Sequence, residues 1–399
     1  MKIIKKKLPY STHYIDDYDV KLVNKVLKSR FITQGKTIER FEKEISKYLG
    51  CKFAVAVSSC TAGMHIACKA LGFNEKSTLL TSPISFVSSA NVARFLGGKV
   101  DFVDINPDTI NIDTKKLEYK IKKKKPKIVI PVHMGGYPCE MSKLKKLSKI
   151  YNFKIVEDAA HALGSKYDLK KKNVKIGSCK YSDVTVFSLH PVKSITTGEG
   201  GIITTNNKET YLRLLRLRSH GINKLNDKPI NIKYAYTDNK LNPWYYEMRE
   251  LGYHYRITDI QCALGLGQLK KLNLFLKKRK EIAKIYDKEF KKTQNISSFQ
   301  GFNRNLSSNH LYIIKIDYKK IKKTRRDLML YLEKRNIITQ VHYIPIVLHP
   351  YYKKLGFDIK EFPEAKKYYD QCLSIPNYFK LSKKDQRYTI NSIKSFLNN

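Results

Sequence analysis

The sequence predicts an α/β protein, with a large domain on a mainly parallel central sheet flanked by helices and a smaller C-terminal α+β domain. Three observations predict it. Between about residues 50 and 205, short apolar runs alternate with stretches of helical length, the pattern that lays parallel strands side by side. After about residue 250 that alternation stops and a long helical stretch takes over. A chain of 399 residues with 42% hydrophobic side chains is also too long for one small core. The division is placed between 1–250 and 251–399.

The elements follow in order. A helix-rich lead-in comes first, VKLVNKVLKS (20–29) and IERFEKEISKYLG (38–50). The strand runs are FAVAV (53–57), TLLTS (78–82), KVDFVDI (99–105), KIVIPV (127–132), KIVED (154–158), DVTVFS (183–188) and GIITT (201–205). Helical segments Thr61–Leu71, Ser88–Leu96 and Met141–Tyr151 separate several of them. Beyond 250, a helix is expected over Asp259–Phe290, then the strand HLYIIKI and the helix RRDLMLYLEKR. A short strand near Ile338–His342 and a helix near 383–397 complete the chain. Prolines 345 and 350 predict a rigid loop, not a helix, over 341–357.

The formal charge is +42, from 77 Lys and Arg against 35 Asp and Glu. Runs such as KIIKKK (2–7), IKKKKPK (121–127), LKKK (169–172) and LKKRK (276–280) are dispersed over predicted helix faces and loops. A nucleic-acid-binding protein would gather them in one stripe. Dispersed lysines read as solvated surface that also favours an anionic substrate. No run of 18 apolar residues occurs, so no membrane helix is expected. The basic N-terminus lacks the apolar stretch of a signal peptide. Seven cysteines form no CxxC pair and there is no HExxH motif. A cytoplasmic protein without a metal site is expected.

Three segments carry chemistry. In EDAAHALGS (157–165), Asp158 ends a strand, where parallel sheets place ligands; it could equally cap a turn. In FSLHPVKSITTGEGG (187–201), Ser188 ends a strand and Lys193 follows in a loop. Gly198, Gly200 and Gly201 there allow close backbone approach. In SSCTAGMHIACKALG (58–72), small residues and Thr61 open a helix whose free N–H groups suit a phosphate, or are simply capped by Ser59. Phe86, in SPISFVSSAN (82–91), could lie on a cofactor ring or in a core. Together they suit pyridoxal phosphate, which needs a lysine for its aldehyde, an acid at its pyridine nitrogen and a phosphate cradle. Lys193 would also move the proton during transamination, while Asp158 keeps the ring nitrogen protonated.

With these motifs, FITQGKTIERFE (31–42), VHMGGYPCEM (132–141) and LGYHYRITDIQCALGLGQL (251–269), the chain resembles the DegT-type sugar-nucleotide aminotransferase family over about residues 8–390. The resemblance implies a fold-type I pyridoxal-phosphate transferase, a homodimer with active sites at the subunit interface. It implies phosphate binding by Thr61, Ala62 and Ser188, stacking by Phe86, Asp158 on the pyridine nitrogen and His161 near the phenolic oxygen. Lys193 would bind the aldehyde; dehydratase relatives carry histidine in its place. Many members reach the phosphate of the other subunit with asparagine from LGYNYR. Here that residue is His254, which can also donate a hydrogen bond. The segments HPVKSITTGEGG and VHYIPIVLHPYY (341–352) resemble the branch serving pseudaminic acid synthesis. That implies L-glutamate as amino donor and UDP-2-acetamido-2,6-dideoxy-β-L-arabino-hex-4-ulose as acceptor, with His342 and Tyr343 as substrate contacts. Another keto-sugar nucleotide is the alternative. A catalytically silent relative is disfavoured because Asp158, Ser188 and Lys193 occur together.

Overall fold

The computed structural model describes residues 3–168, 174–223, 228–298 and 303–398; the lysine run at 169–172 lies outside them. The chain opens with α1 (Asp17–Leu27), started by a capping box between Asp16 and Asp19. In α2 (Lys36–Leu49), Ile38, Phe41, Ile45 and Leu49 recur at helical spacing and are buried, and Gly50 in the left-handed region ends it. Then come β1 (Phe53–Val57), α3 (Cys60–Ala70), β2 (Thr78–Thr81), α4 (Ser88–Phe95), β3 (Lys99–Phe102), α5 (Thr114–Lys124), β4 (Ile128–Ile130), α6 (Met141–Tyr151) and β5 (Lys154–Asp158). A minor hairpin, β6 (Lys166–Asp168) and β7 (Val174–Lys175), precedes β8 (Val184–Ser188), β9 (Gly201–Thr205) and α7 (Lys208–Arg218).

Seven of these strands form one sheet in the order β1-β9-β8-β5-β4-β2-β3. The pairs from β3 across to β8 are parallel, and β9 runs antiparallel to both neighbours. Both faces are covered, which explains why the strands read as continuous apolar runs. In β1, Val55 and Val57 enter a core with α3 and α4, while Ala54 and Ala56 enter one with α2 and the helix α9 (Asp259–Phe290). The fold class and the mainly parallel sheet are as expected from the sequence.

Between α7 and α9 lies an arm of short pieces: β10 (Ile222–Asn223), α8 (Ile232–Ala235), β11 (Tyr236–Thr237), β12 (Lys240–Leu241) and β13 (Glu247–Met248). Its Ile230, Tyr234, Trp244, Tyr246 and Met248 are exposed. After α9 come β14 (Ile296–Ser297), β15 (Tyr312–Ile316), α10 (Arg325–Glu333), α11 (Pro350–Lys354), α12 (Pro363–Gln371), β16 (Cys372–Ile375) and α13 (Lys383–Asn398). Strands β14, β15 and β16 make a three-stranded antiparallel sheet. Its core takes Tyr286 and Phe290 from α9, Leu328 and Leu332 from α10, Ile393 and Phe396 from α13, and Leu8 from the N-terminal segment.

Two expectations differ from the structure. No strand forms over 338–342: Ile337 bridges Leu8 and Gln340 bridges Ser374, so the segment changes partner before a ladder can form. The segment 341–357 contains a helix, α11, because Pro350 stands at its first position, where proline's fixed φ and missing N–H cost nothing.

Candidate active site

The site gathers at the carboxyl ends of β5 and β8. These strands pair with Asp158 opposite Val186, and Ser188 pairs with Gly201. The loop from Ser188 to Gly201 thus leaves and returns at one sheet end and holds Lys193 beside Asp158.

Asp158 is 3% exposed. Its Oδ2 accepts from the Ser89 hydroxyl at 2.6 Å and its Oδ1 from the Ala160 N–H at 3.1 Å. With Ser89 donating to Asp158, the Ser85 hydroxyl donates to Ser89 at 2.7 Å. Lys193 has lost much of its hydration. Burial lowers its ammonium to about 8; Cys60 and Asp158 oppose that shift and Arg279 adds to it.

At the start of α3, the Ser59 side chain accepts from the Ala62 N–H at 3.1 Å. The cap therefore occupies the Ala62 donor, while the Thr61 N–H finds no acceptor among the described residues. Gly201 lets β9 approach this helix start closely: a Cβ there would lie 2.6 Å from the Ser59 carbonyl oxygen. Ser188 pairs with that glycine, and its hydroxyl accepts from the His190 N–H at 3.4 Å.

Phe86 is 57% exposed, which is incompatible with a core role, and its ring lies 6.2 Å from that of Tyr343. His161 is buried. Its Nδ1 accepts from the Gly135 N–H at 3.3 Å, which leaves the proton on Nε2, 2.9 Å from the Tyr343 hydroxyl. Burial holds His161 well below its usual range. His342 is buried with Nδ1 2.8 Å from the Ser374 hydroxyl, and burial lowers it to about 3. Burial raises the Tyr343 phenol.

The structure thus brings Asp158, Lys193, Ser188, His161, Phe86, Tyr343, His342 and the start of α3 to one end of the sheet. His254 stands apart: it is exposed, and its partners are the Ser219 backbone and the His220 ring at 5.3 Å. Two contributors escaped sequence reading. Ser89 left a trace, a serine in the first turn of α4 four residues after Ser85 in the preceding bend. His310 left none; its ring lies 4.6 Å from that of His161 and its buried Nδ1 has no partner among the described residues.

Pyridoxal phosphate fits these residues: a depressed lysine, a buried carboxylate held by two donors, an exposed ring and a helix start with a free N–H. Among the described residues there is no His, Cys, Asp and Glu grouping able to hold a metal and no helix long and apolar enough to cross a membrane.

Comparison with known proteins agrees. The model of the DegT/DnrJ/EryC1/StrS aminotransferase family matches residues 13–394. The chain is 39% identical over 392 residues to the UDP-4-amino-4,6-dideoxy-N-acetyl-beta-L-altrosamine transaminase of Campylobacter jejuni, covering 98% of this chain and 97% of that one. Among solved structures, Helicobacter pylori PseC, an aminotransferase involved in the biosynthesis of pseudoaminic acid, has a TM-score of 0.88 at 32% identity, over 98% of this chain and 100% of that one. The PLP form of Streptococcus pneumoniae Spr1654 has a TM-score of 0.86 at 28% identity, over 98% and 99%.

Proposed function

We propose a specific reaction for this chain, which belongs to the DegT/DnrJ/EryC1/StrS aminotransferase family and is a pyridoxal-phosphate sugar aminotransferase. It moves an amino group from L-glutamate to C4 of UDP-2-acetamido-2,6-dideoxy-β-L-arabino-hex-4-ulose, giving UDP-4-amino-4,6-dideoxy-N-acetyl-β-L-altrosamine. The observation that carries this reading is the end-to-end similarity to the Campylobacter jejuni transaminase. The segment 341–352 supports it, since it sets Tyr343 against both Phe86 and His161.

Bound, the cofactor supplies an electron sink for the charge left when the donor's α-proton departs. The residues do the rest. Lys193 Nζ takes the proton from the α-carbon of glutamate and, in the second half-reaction, delivers one to C4 of the sugar. A lysine with its ammonium near 8 holds enough neutral amine for this at ordinary pH. Asp158, fixed by Ser89 and Ala160, keeps a proton on the pyridine nitrogen. His161, neutral with its Nε2–H towards Tyr343, would lie near the phenolic oxygen. Phe86 covers the ring, and Thr61, Ala62 and Ser188 hold the phosphate. Ala62 would join them once its N–H turned from the Ser59 side chain. His342 and Tyr343 frame the sugar.

The active form is a homodimer in which His254, exposed on each chain, reaches the phosphate of the other. The exposed apolar residues of the arm at 228–251 support an interface there. The division into 1–250 and 251–399 puts β10 to β13 of the arm with the large domain. The positive charge draws in the anionic UDP group. A cytoplasmic location is part of this reading; the free cysteines are compatible with it.

The test compares kcat/KM for the β-L-arabino 4-keto sugar with that for the D-xylo 4-keto sugar, glutamate being the donor and products identified by NMR. The two differ in configuration at C5. A preference for the L-arabino sugar of at least roughly 100-fold is expected, since misplaced hydroxyls leave polar groups unpaired. Preference for the D-xylo sugar assigns the enzyme to a different keto-sugar nucleotide.

A further inference from the structure

We propose that Arg279 is a positioning residue for Lys193: its buried guanidinium, held by neutral acceptors with no carboxylate partner among the described residues, anchors the lysine loop and leaves its positive field on the lysine amine. The inference rests on Lys193 being the base of the proposed reaction.

Arg279 lies about two-thirds of the way along α9 and is 3% exposed. A guanidinium cannot shed its charge by deprotonation under ordinary conditions, and a buried one normally takes a carboxylate partner. Arg279 has no carboxylate within ion-pair distance among the described residues. It donates to three neutral acceptors instead: the His310 carbonyl at 2.9 Å, the Asn377 carbonyl, and the Ser11 hydroxyl at 3.2 Å. Ser11 passes its own proton on to the Val192 carbonyl at 2.9 Å. That carbonyl belongs to the peptide that carries Lys193.

The chain Arg279–Ser11–Val192 therefore ties the lysine loop to α9 and to the N-terminal segment. Asn377 closes the hub, since its backbone N–H donates to the Tyr10 carbonyl and its Nδ2 to the Asn309 carbonyl at 2.7 Å. A carboxylate here would bind the guanidinium as well and would also cancel its field. Neutral acceptors hold it in place and leave the field intact.

The ionisable groups facing Lys193 divide by element. Asp158 on β5 and Cys60 on α3 favour its charged form; Arg279 on α9 opposes it. His161, His310 and His342, from three further segments, are each driven towards neutrality by burial with Lys193 contributing. Arg279 is thus the permanent cation of the group. Burial lowers it only to about 10, so it stays charged where the enzyme works.

The test reads the protonation of Lys193 directly. Full-length protein, freed of cofactor, is reductively methylated across a pH series, and the rate at Lys193 is followed by peptide mass mapping. Wild type should show a midpoint well below that of surface lysines. Arg279→Gln keeps a hydrogen-bond donor and removes the charge; the midpoint should rise by roughly half a unit or more. Arg279→Lys, which keeps the charge, should leave it near wild type. Ser11→Asp places a carboxylate against the guanidinium and should raise the midpoint as Arg279→Gln does, without emptying the site. A wild-type midpoint near 10, or one unmoved in whichever of Arg279→Gln and Ser11→Asp folds, overturns the proposal. So does a defect confined to KM for the amino donor, which would make Arg279 a carboxylate binder. Failure of the sugar assignment alone would leave these midpoints unchanged.

Discussion

Gly201 offers a way to disturb the cofactor cradle without altering any group that does chemistry. Its φ is not in the left-handed region, so alanine meets no backbone objection at this position; space alone decides. A Cβ would stand 2.6 Å from the Ser59 oxygen and 2.8 Å from the Cys60 nitrogen, where ordinary contact begins at 3.4 Å. The Ser59–Cys60 peptide must therefore withdraw by up to 3.4 − 2.6 = 0.8 Å. That peptide opens α3, and its movement pulls the Ser59 cap from the Ala62 N–H. Overpacking of this kind costs about 1–3 kcal/mol. In the cofactor-free chain the helix start can relax outwards; binding must then press it back. The dissociation constant for pyridoxal phosphate should rise roughly 5- to 150-fold in Gly201→Ala. Titration of the cofactor-free protein, followed by visible absorption, measures it, with thermal melts of both forms alongside. Turnover at saturating cofactor should stay within a few-fold of wild type. A dissociation constant within twofold of wild type, with unchanged melting of both forms, would refute the argument that Gly201 sets the position of the α3 start.

Further outcomes are expected. Asp158→Asn should keep most of its cofactor yet lose about 3 kcal/mol of transition-state stabilisation, roughly 100-fold in rate; a near-normal rate removes Asp158 from the chemistry. Mixing Lys193→Ala with His254→Ala, each inactive alone, should restore activity through the one intact site of a mixed dimer. No recovery after verified subunit exchange would confine His254 to its own subunit. His342 should govern part of the acid limb of stability. Unfolded, it takes a proton below about pH 6.5, whereas in the folded chain it does so only near 3. Stability therefore falls as pH drops through that window, by up to about 1.4 kcal/mol per unit from this group. His342→Gln should flatten urea midpoints measured between pH 7 and 5, and slopes equal to wild type would contradict this.

The legible parts of this protein were those whose cause is local. Strands buried on both faces declare themselves as apolar runs, and α9 runs over Asp259–Phe290 as expected, its start held by a local Thr258 and Gln261 capping box. Lys193, Asp158 and Ser188 were readable because a strand end, a loop and a glycine cluster occur in a fixed order. What escaped depends on distant packing. Strand β16 is four residues whose β character comes from Tyr312 and its neighbours across the ladder. The arm's two-residue strands pair with each other across intervening loops, and no apolar alternation marks them. Arg279 sits in LKKRK, which reads as solvated charge until the fold shows that one member of the run points inward. His310 is a lone histidine before a strand until His161 is brought beside it.

Helix α9 begins against the large sheet and ends in the core of the three-stranded sheet, with Arg279 between the two. At 1.5 Å per residue its 32 residues make a rod of about 48 Å. A rod embedded at both ends leaves no pivot: one core cannot swing against the other unless the rod bends or breaks. The lysine loop, tied to Arg279 through Ser11, is fastened to that rod. The chemical centre is thereby anchored to an element that both cores share.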